Sequence, residues 1–173
     1  KTEAIFYSEN SLLYIGQWRD KLVIQDGKNV LYEYHQNKFE QWDINNKFDK
    51  GRISSVINYA NDTLLVTTID NGIFYEVNHN FYPWKTEDDN FLRKNIIYAA
   101  TYLPSGEIVL GTSLNGVVIL DKNRKITQHL NKNHGLQNNT VLSTMVTKDG
   151  NIWLGLDNGI DMVDLRAPFR HFY

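Results

Sequence analysis

Few residues of this chain have types and spacings that could do catalytic chemistry. The five histidines show neither metal-ligand spacing nor a companion nucleophile motif, and the chain contains no cysteine. The run Glu87-Asp88-Asp89 offers the oxygen ligands that calcium prefers, but contiguous carboxylates in a long loop are usually solvated surface charge. The sequence therefore predicts no catalytic residue, no metal site and no cofactor.

The polar loop residues fit the non-covalent binding of a sugar better than they fit catalysis or metal binding. A set of them follows strand-like runs: Asp26, Lys28, Arg52, Asp70, Arg93, Lys94, Asn115, His134, Asn138 and Asp157. Sugar hydroxyls need paired donors and acceptors, and the C–H face of a sugar needs an apolar surface. The predicted ligand-binding residues are Arg52, Asp70, Arg93, His134, Asn138 and Asp157. The plainer interpretation is that these positions are polar only because they lie in loops.

The elements that must position these side chains recur with a period of about 43 residues. Asn29, Gly72, Gly116 and Gly159 lie 43 or 44 residues apart, and an apolar run follows each of them at once. Asn and Gly both accept the positive φ that a short hairpin needs. Several short strands in a repeat of roughly 40–50 residues are typical of a β-propeller, with one four-stranded blade per repeat.

Each repeat divides into four strand-like runs. Turn-forming residues separate the first run from the second, as in Asn61-Asp62 and Lys148-Asp149-Gly150. The second run is almost wholly apolar, as expected for a strand covered on both faces, and the fourth ends in aromatic residues in three of the repeats. The sequence predicts an all-β domain over 1–173, with blades at about 8–47, 48–90, 91–134 and 135–173. On the predicted ligand-binding face, loops between blades meet loops between strands two and three.

Composition and charge exclude several classes of partner. The chain is 42% hydrophobic and 13% aromatic, which suits a β-rich core. A formal net charge of −2 provides no basic surface for nucleic acid. No run approaches the roughly 18–20 apolar residues of a membrane span, and the first ten residues lack the form of a signal peptide. We expect a soluble chain that does not bind nucleic acid.

The four tryptophans are the aromatic residues that could form a sugar platform. Trp153 lies in a second strand and is expected to pack between blades, while Trp42 and Trp84 recur at the period and are expected to be architectural. Trp18 alone lies outside the repeated pattern, before a turn and beside Arg19. It is therefore a candidate for surface contact, on the face opposite the predicted ligand-binding loops. His35 and His79 fall in equivalent turns, where we expect solvated side chains.

Two segments carry a family resemblance. Residues 135–141 read GLQNNTV, and residues 148–160 read KDGNIWLGLDNGI. Together they resemble the two-component regulator propeller repeat, which has the form G-L-x-x-N-x-V, then D-G-x-[IL]-W-[IL]-G-T, then x-x-G-[ILV]. Residues 105–112, SGEIVLGT, are similar to the same motif. The second repeat matches less well and the first has lost both glycines, so the resemblance is strong over 92–164 and faint before residue 48.

The resemblance implies a function that the residues alone do not. In that family, these repeats build the periplasmic sensor region of membrane-bound hybrid histidine kinases, in which two seven-bladed propellers precede an immunoglobulin-like domain. The resemblance implies that this chain belongs to a non-enzymatic sensor, and that its parent protein is a homodimer. Sensors of this family often respond to oligosaccharides. Residues 165–169 also resemble the passage from the last blade to the immunoglobulin-like domain.

The number of repeats predicts an incomplete propeller. Four blades are the lower limit for closure, and the family ring has seven. Residues 4–7 have the character of an outer strand from a preceding blade. We therefore expect a segment of a larger ring that self-associates through its apolar blade faces when isolated. Two other functions stay open: a propeller enzyme acting on glycans as a lyase or hydrolase, and a protein-interaction scaffold.

Overall fold

The computed structural model describes residues 6–42, 48–60 and 62–165. The chain divides into two compact units, which meet in the sequence between Lys85 and Thr86. Each unit contains two antiparallel sheets in which consecutive strands pair. No helix among the described residues is long and apolar enough to cross a membrane.

The first unit contains two four-stranded sheets with strands in sequence order. The first sheet contains β1 (Leu12–Trp18), β2 (Lys21–Asp26), β3 (Leu31–His35) and β4 (Lys38–Gln41). The second sheet contains β5 (Ile53–Ala60), β6 (Thr63–Thr68), β7 (Gly72–Val77) and β8 (Asn80–Pro83). Consecutive strands are joined by short turns. Because such turns join antiparallel neighbours, each sheet is a meander.

The second unit begins with a short helix, α1 (Asp89–Lys94), that the sequence analysis did not predict. The third sheet contains β9 (Ile97–Tyr102), β10 (Ile108–Thr112), β11 (Val117–Leu120) and β12 (Ile126–Leu130). A one-turn 3-10 helix, Lys132–His134, leads to the fourth sheet. Its described strands are β13 (Val141–Val146), β14 (Ile152–Leu156) and β15 (Gly159–Val163).

Backbone geometry confirms the predicted pivots of the repeat. The φ angles are 60° at Asn29, 88° at Gly72, 70° at Gly116 and 146° at Gly159. All four are positive, a region that Gly and Asn adopt more readily than other residues. The loss of the first pivot glycine to Asn29 therefore leaves the turn intact.

A buried side chain closes three of these turns from the end of the preceding strand. The Thr68 hydroxyl donates to the Gly72 carbonyl at 2.8 Å, and the Thr112 hydroxyl donates to the Gly116 carbonyl at 2.9 Å. In the first sheet, Asp26 Oδ1 accepts from the backbone amides of Lys28 and Val30 at 2.9 and 3.0 Å. Asp26 is therefore a buried turn residue, contrary to its predicted place among the exposed loop residues.

The apolar second strands form the core of each unit. In the first unit, Val23 and Leu31 of the first sheet pack with Ile53, Leu64 and Val66 of the second. In the second unit, a corresponding core joins third-sheet residues such as Val109 and Ile119 to Val141, Ile152 and Leu154 of the fourth sheet. Burial of β2, β6 and β10 on both faces agrees with their continuous apolar sequence.

One expectation about the blades was wrong, and others are not tested. Trp153 is 42% exposed rather than packed between sheets, because alternation in β14 places it on the outer face of the fourth sheet. Phe6 and Tyr7, the described part of the predicted outer strand at 4–7, lie outside the strands, and the strand itself stays a prediction. Residues 4–5, the predicted fourth strand at 169–172 and most of the tail 165–169 lie outside the described residues. The blade boundaries and the seven-bladed total stay predictions.

Candidate functional site

A pocket of about 390 Å³ opens in the first unit where turns of its two sheets meet. The β1–β2 turn contributes Arg19 and Asp20, and the β7–β8 turn contributes Asn78 and His79. The rest of the lining comes from Trp18, Lys21, Val23, Glu33, Trp42 and Asp62. Aromatic surface beside a few polar groups is the usual make-up of a small-molecule site.

The aromatic side of the pocket is an interlocked cluster. The His79 ring stacks on Trp42, with centroids 4.4 Å apart and planes 17° from parallel. Trp42 meets Trp18 edge to face at 5.2 Å, which is a favoured aromatic geometry. Trp18 is only 3% exposed, so its prediction as a surface contact is corrected: it lines the pocket from within the core. His79 is exposed, but its ring is stacked rather than merely solvated.

A buried ion pair fixes the two turns beneath the pocket. Arg19 Nη2 donates to Glu76 Oε2 at 2.7 Å, and the Glu76 side chain is fully buried. The other Glu76 oxygen accepts from the His79 backbone amide at 2.6 Å. Arg19 Nη2 also donates to the Asp62 carbonyl oxygen. The carboxylate of Glu76 thus holds a turn from each sheet, as a buried charge requires.

The remaining charged groups make the pocket rim polar. Lys21 pairs with Glu33 across β2 and β3, and the Glu33 carboxylate raises the pKa of Lys21 through this hydrogen bond. Asp20 and Asp62 add carboxylates that are exposed. Because Arg19 and Lys21 are already matched by carboxylates, the rim has an excess of hydrogen-bond acceptors. Such a rim suits the hydroxyl donors of a neutral polyol better than it suits an anion.

Arg52 and Asp70, two of the predicted ligand-binding residues, contact each other elsewhere in the first unit. The Arg52 Nε and Nη2 atoms each donate to one carboxylate oxygen of Asp70 at 3.3 Å. Both side chains are about half exposed, and hydrogen bonding by Arg52 lowers the pKa of Asp70. The pair joins the start of β5 to the β6–β7 turn.

The other four predicted residues lie in the second unit. Arg93 is exposed on α1, and His134 hydrogen-bonds through Nδ1 to Asn131 Oδ1 at 2.9 Å. Asn138 donates to Asn158 Oδ1 at 2.6 Å, so it lies beside the turn that contains Asp157. The structure therefore brings Asn138 close to the Asp157 turn, while Arg93 lies on α1 and His134 lies in the 3-10 helix.

Sequence reasoning missed the pocket for a definable reason. Asp62 was considered only as a turn residue and Arg19 only as a neighbour of Trp18, and Glu76 was not considered. The available signal was Glu76 itself, because a lone carboxylate in the otherwise apolar run GIFYEV must find a partner when it is buried. Among the described residues, no group of three or more His, Asp or Glu side chains could hold a metal ion.

Comparisons with protein-family models and with curated proteins gave no match. Solved structures do match. The WD40 β-propeller domain of Doa1 has a TM-score of 0.64 at 13% identity, with 90% of this chain and 51% of that chain covered. The extracellular domain of the hybrid two-component system BT3049 from B. thetaiotaomicron has a TM-score of 0.60 at 19% identity, with 91% and 20% covered. A second extracellular domain from that organism, BT4673, has a TM-score of 0.61 at 19% identity, with 94% and 28% covered.

These likenesses show the fold alone: an all-β chain built of antiparallel β-propeller blades. This chain spans about half the length of the Doa1 propeller and a fifth of the BT3049 domain. The structural neighbours include extracellular domains of two-component systems, as the resemblance of the repeat motif leads one to expect.

Proposed function

We propose that this chain is part of the extracytoplasmic, ligand-sensing propeller of a membrane-bound hybrid two-component sensor histidine kinase, and that its ligand is an oligosaccharide. In this proposal the chain is periplasmic and non-enzymatic. Its partners in the parent protein are further blades, an immunoglobulin-like domain and a second copy of the parent. The repeat motif and the likeness to the extracellular domains of BT3049 and BT4673 support the sensor part.

The observation that carries the ligand part is the pocket between the turns of the first two sheets. The exposed His79 ring, which is backed by the buried Trp42, provides an aromatic surface, and the acceptors of Asp20 and Asp62 lie around it. A sugar has an apolar C–H face and a rim of hydroxyls, so it can use both features at once. A volume of about 390 Å³ accommodates one or two sugar rings of an oligosaccharide.

A sensor also needs a ligand that changes a structural equilibrium. The Arg19–Glu76 pair and the His79 backbone amide connect the pocket to both sheets of the first unit. A sugar that hydrogen-bonds to the β1–β2 and β7–β8 turns would therefore favour the arrangement in which the two turns are close. This gives ligand binding a route to the packing of neighbouring blades.

The test is a thermal-denaturation screen of this chain against neutral oligosaccharides of different linkage, with the constituent monosaccharides as controls. A ligand that binds only the folded state raises the melting temperature, and at about 100 times Kd it adds about 2.7 kcal/mol of stability. We expect one glycan class to raise the melting temperature and its monosaccharides to raise it much less. No shift with any glycan would refute oligosaccharide sensing by this chain.

Two variants locate the site. His79→Asn removes the ring that stacks on Trp42 and keeps a residue that tolerates the positive φ of 64°. Asn138→Ala removes a predicted ligand-binding side chain in the second unit. Loss of the glycan-induced shift in His79→Asn alone places the ligand in the pocket, whereas loss in Asn138→Ala alone assigns it to the predicted loop residues. The melting temperature without glycan reports any change in folding itself.

A further inference from the structure

The cations at the pocket of the first unit are already matched by carboxylates. With histidine counted as neutral, Arg19 and Lys21 are the cationic residues of the lining. Arg19 pairs with the buried Glu76, and Lys21 pairs with Glu33. Each of these two pairs has no net charge. The charge of the pocket is therefore decided by the other ionisable residues that line it.

Asp20 and Asp62 are those residues, and both are exposed. Asp20 lies in the β1–β2 turn and Asp62 lies in the β5–β6 turn, so each sheet of the first unit contributes one carboxylate. Two cations thus face four carboxylates, the buried Glu76 included, and the formal charge of the pocket is −2. The whole chain also has a formal net charge of −2, so its negative excess is concentrated at this pocket.

The wall of the pocket strengthens the effect of this charge. Trp18 and Trp42 line it and are only 3% and 8% exposed, so apolar protein lies behind the carboxylates. A cleft that has low-dielectric walls and charges of one sign concentrates their field and raises the local concentration of the opposite ion. The pocket should therefore attract a cation more strongly than an open surface with the same carboxylates would.

We propose that the preferred ligand of this pocket is an amino sugar, in which a protonated amine replaces one hydroxyl group. This rests on the proposed function, because it takes the ligand to be an oligosaccharide, and it adds the charge of that ligand. The ammonium group pairs with Asp20 or Asp62, while the C–H face of the sugar lies against the His79 ring. An ammonium group has three donors and no acceptor, so it suits a rim of carboxylate oxygens.

Other cations fit the pocket less well. A metal ion needs several converging ligands, and among the described residues no three His, Asp or Glu side chains form such a group. A lysine side chain carries the same charge as an amino sugar, but it has no hydroxyl groups for the remaining acceptors of the rim. A volume of about 390 Å³ accommodates one or two sugar rings, so a disaccharide is long enough to test the preference.

The size of the preference follows from the exposure of the two carboxylates. A pair between solvent-exposed charges strengthens an interaction by about two- to fivefold. With a carboxylate from each sheet, we expect an amino sugar to bind about tenfold more tightly than the same sugar with a hydroxyl in place of the amine. The preference should shrink as salt rises from about 0.01 to 1 M, because the Debye length falls from about 30 to 3 Å.

Isothermal titration calorimetry of this chain with chitosan disaccharide, its N-acetylated form and cellobiose measures this preference. The three ligands share one linkage and differ in a single group on each ring, which is an ammonium, an acetamide or a hydroxyl. We expect the ammonium form to bind about tenfold more tightly at pH 7. At pH 9 the preference should disappear, because an amine beside carbons that carry oxygen titrates near the α-amino range of about 7.7–8.0.

Asp20→Asn combined with Asp62→Asn separates charge from shape. Both substitutions keep an acceptor oxygen, and asparagine tolerates the positive φ of 60° at position 62. In this double variant the three disaccharides should bind within about twofold of one another. Asp149→Asn is the matched control, since Asp149 is an exposed carboxylate in the β13–β14 turn, the corresponding turn of the fourth sheet. That control should keep the tenfold preference.

Selectivity among the three ligands is a readout that a change in folding alone would not move. Equal binding of all three by the wild-type chain would overturn the amino-sugar preference and leave oligosaccharide sensing in place. A preference that survives in the double variant, or a trilysine peptide that binds as tightly as the amino sugar, would overturn it too. If none of the three binds while another glycan raises the melting temperature, the preference alone fails. If no glycan of any kind binds, the proposed function fails with it.

Discussion

Removal of Arg19 is the most informative perturbation of the first unit, because it isolates a buried carboxylate. In the wild-type chain, Glu76 is fully buried and accepts from Arg19 at 2.7 Å and from the His79 amide at 2.6 Å. In Arg19→Ala, the His79 backbone amide is left as the partner of the Glu76 carboxylate. The substitution also removes the bond to the Asp62 carbonyl, which is exposed to water and easily resatisfied.

The magnitude follows from the burial of the two partners. Removing one member of a buried ion pair destabilises a protein by about 3–5 kcal/mol. The Arg19 side chain is 33% exposed, and truncating it opens the Glu76 carboxylate to water from the pocket, which lowers this value. We expect a loss of about 2–3 kcal/mol in the free energy of unfolding, a large part of the roughly 5–15 kcal/mol typical of a folded protein.

Urea denaturation of Arg19→Ala and Arg52→Ala measures the effect against a matched control. Arg52 also pairs with a carboxylate in the same unit, but its side chain is 53% exposed and that of Asp70 is 47% exposed. Pairs of this kind contribute less than about 1 kcal/mol. Equal losses in the two variants would refute the argument, because they would show that burial of Glu76 does not set the magnitude.

A double substitution separates the charge from the packing. Glu76→Gln keeps the shape of the side chain and an oxygen for the His79 amide, but it removes the negative charge. A neutral amide without a full set of partners costs less than an unpaired buried charge. We therefore expect Arg19→Ala combined with Glu76→Gln to be more stable than Arg19→Ala alone. A double variant that is less stable by the full sum of both single losses would contradict a charge-based explanation.

Further predictions concern one turn and one titration. A β-carbon at Gly116 would lie 2.0 Å from the Leu130 carbonyl oxygen, whereas a β-carbon at Gly150 would have no atom within 4 Å. Urea denaturation of Gly116→Ala should therefore show a loss of more than about 4 kcal/mol in the free energy of unfolding. Gly150→Ala should lose only about 1–3 kcal/mol, because the positive φ is its only source of strain. Similar losses would show that the close approach at Gly116 is not decisive. Hydrogen bonding by Arg52 lowers the pKa of Asp70. The stabilising contribution of the Asp70 carboxylate is therefore present above its unfolded pKa and is lost as the pH falls through its lower folded pKa. Carboxyl NMR should show this pKa rising towards its usual value in Arg52→Ala, and an unchanged pKa would exclude Arg52 as the cause.

Local structure was readable from the sequence in most repeats. The second strand of each repeat lies where its apolar run predicted, for example β10 (Ile108–Thr112) and β14 (Ile152–Leu156). The pivots at Gly72 and Gly116 have the positive φ that their residue type indicated. These features depend on neighbours within a few residues, so periodicity and turn chemistry are sufficient to find them. The helix α1 was missed, since six residues are too few to show a helical period.

The candidate site could not be predicted in the same way. Arg19 and Glu76 are 57 residues apart in the sequence, and only the packing of the two sheets of the first unit brings them together. The predicted residues Arg52 and Asp70 do meet, although the sequence did not identify them as an ion pair. Loop position predicts polarity, but it does not say which polar side chains already satisfy one another.

Trp18 and Trp153 show most clearly which features the sequence determines and which require the tertiary structure. By itself, the sequence determined that both lie in or beside strands of a repeating all-β chain, because strand periodicity is a local property. Only the tertiary structure decided that Trp18 is buried beside a pocket and that Trp153 is exposed on an outer face. The physical reason is that burial depends on which sheet covers a given face, and that neighbour is supplied by residues far away in the chain.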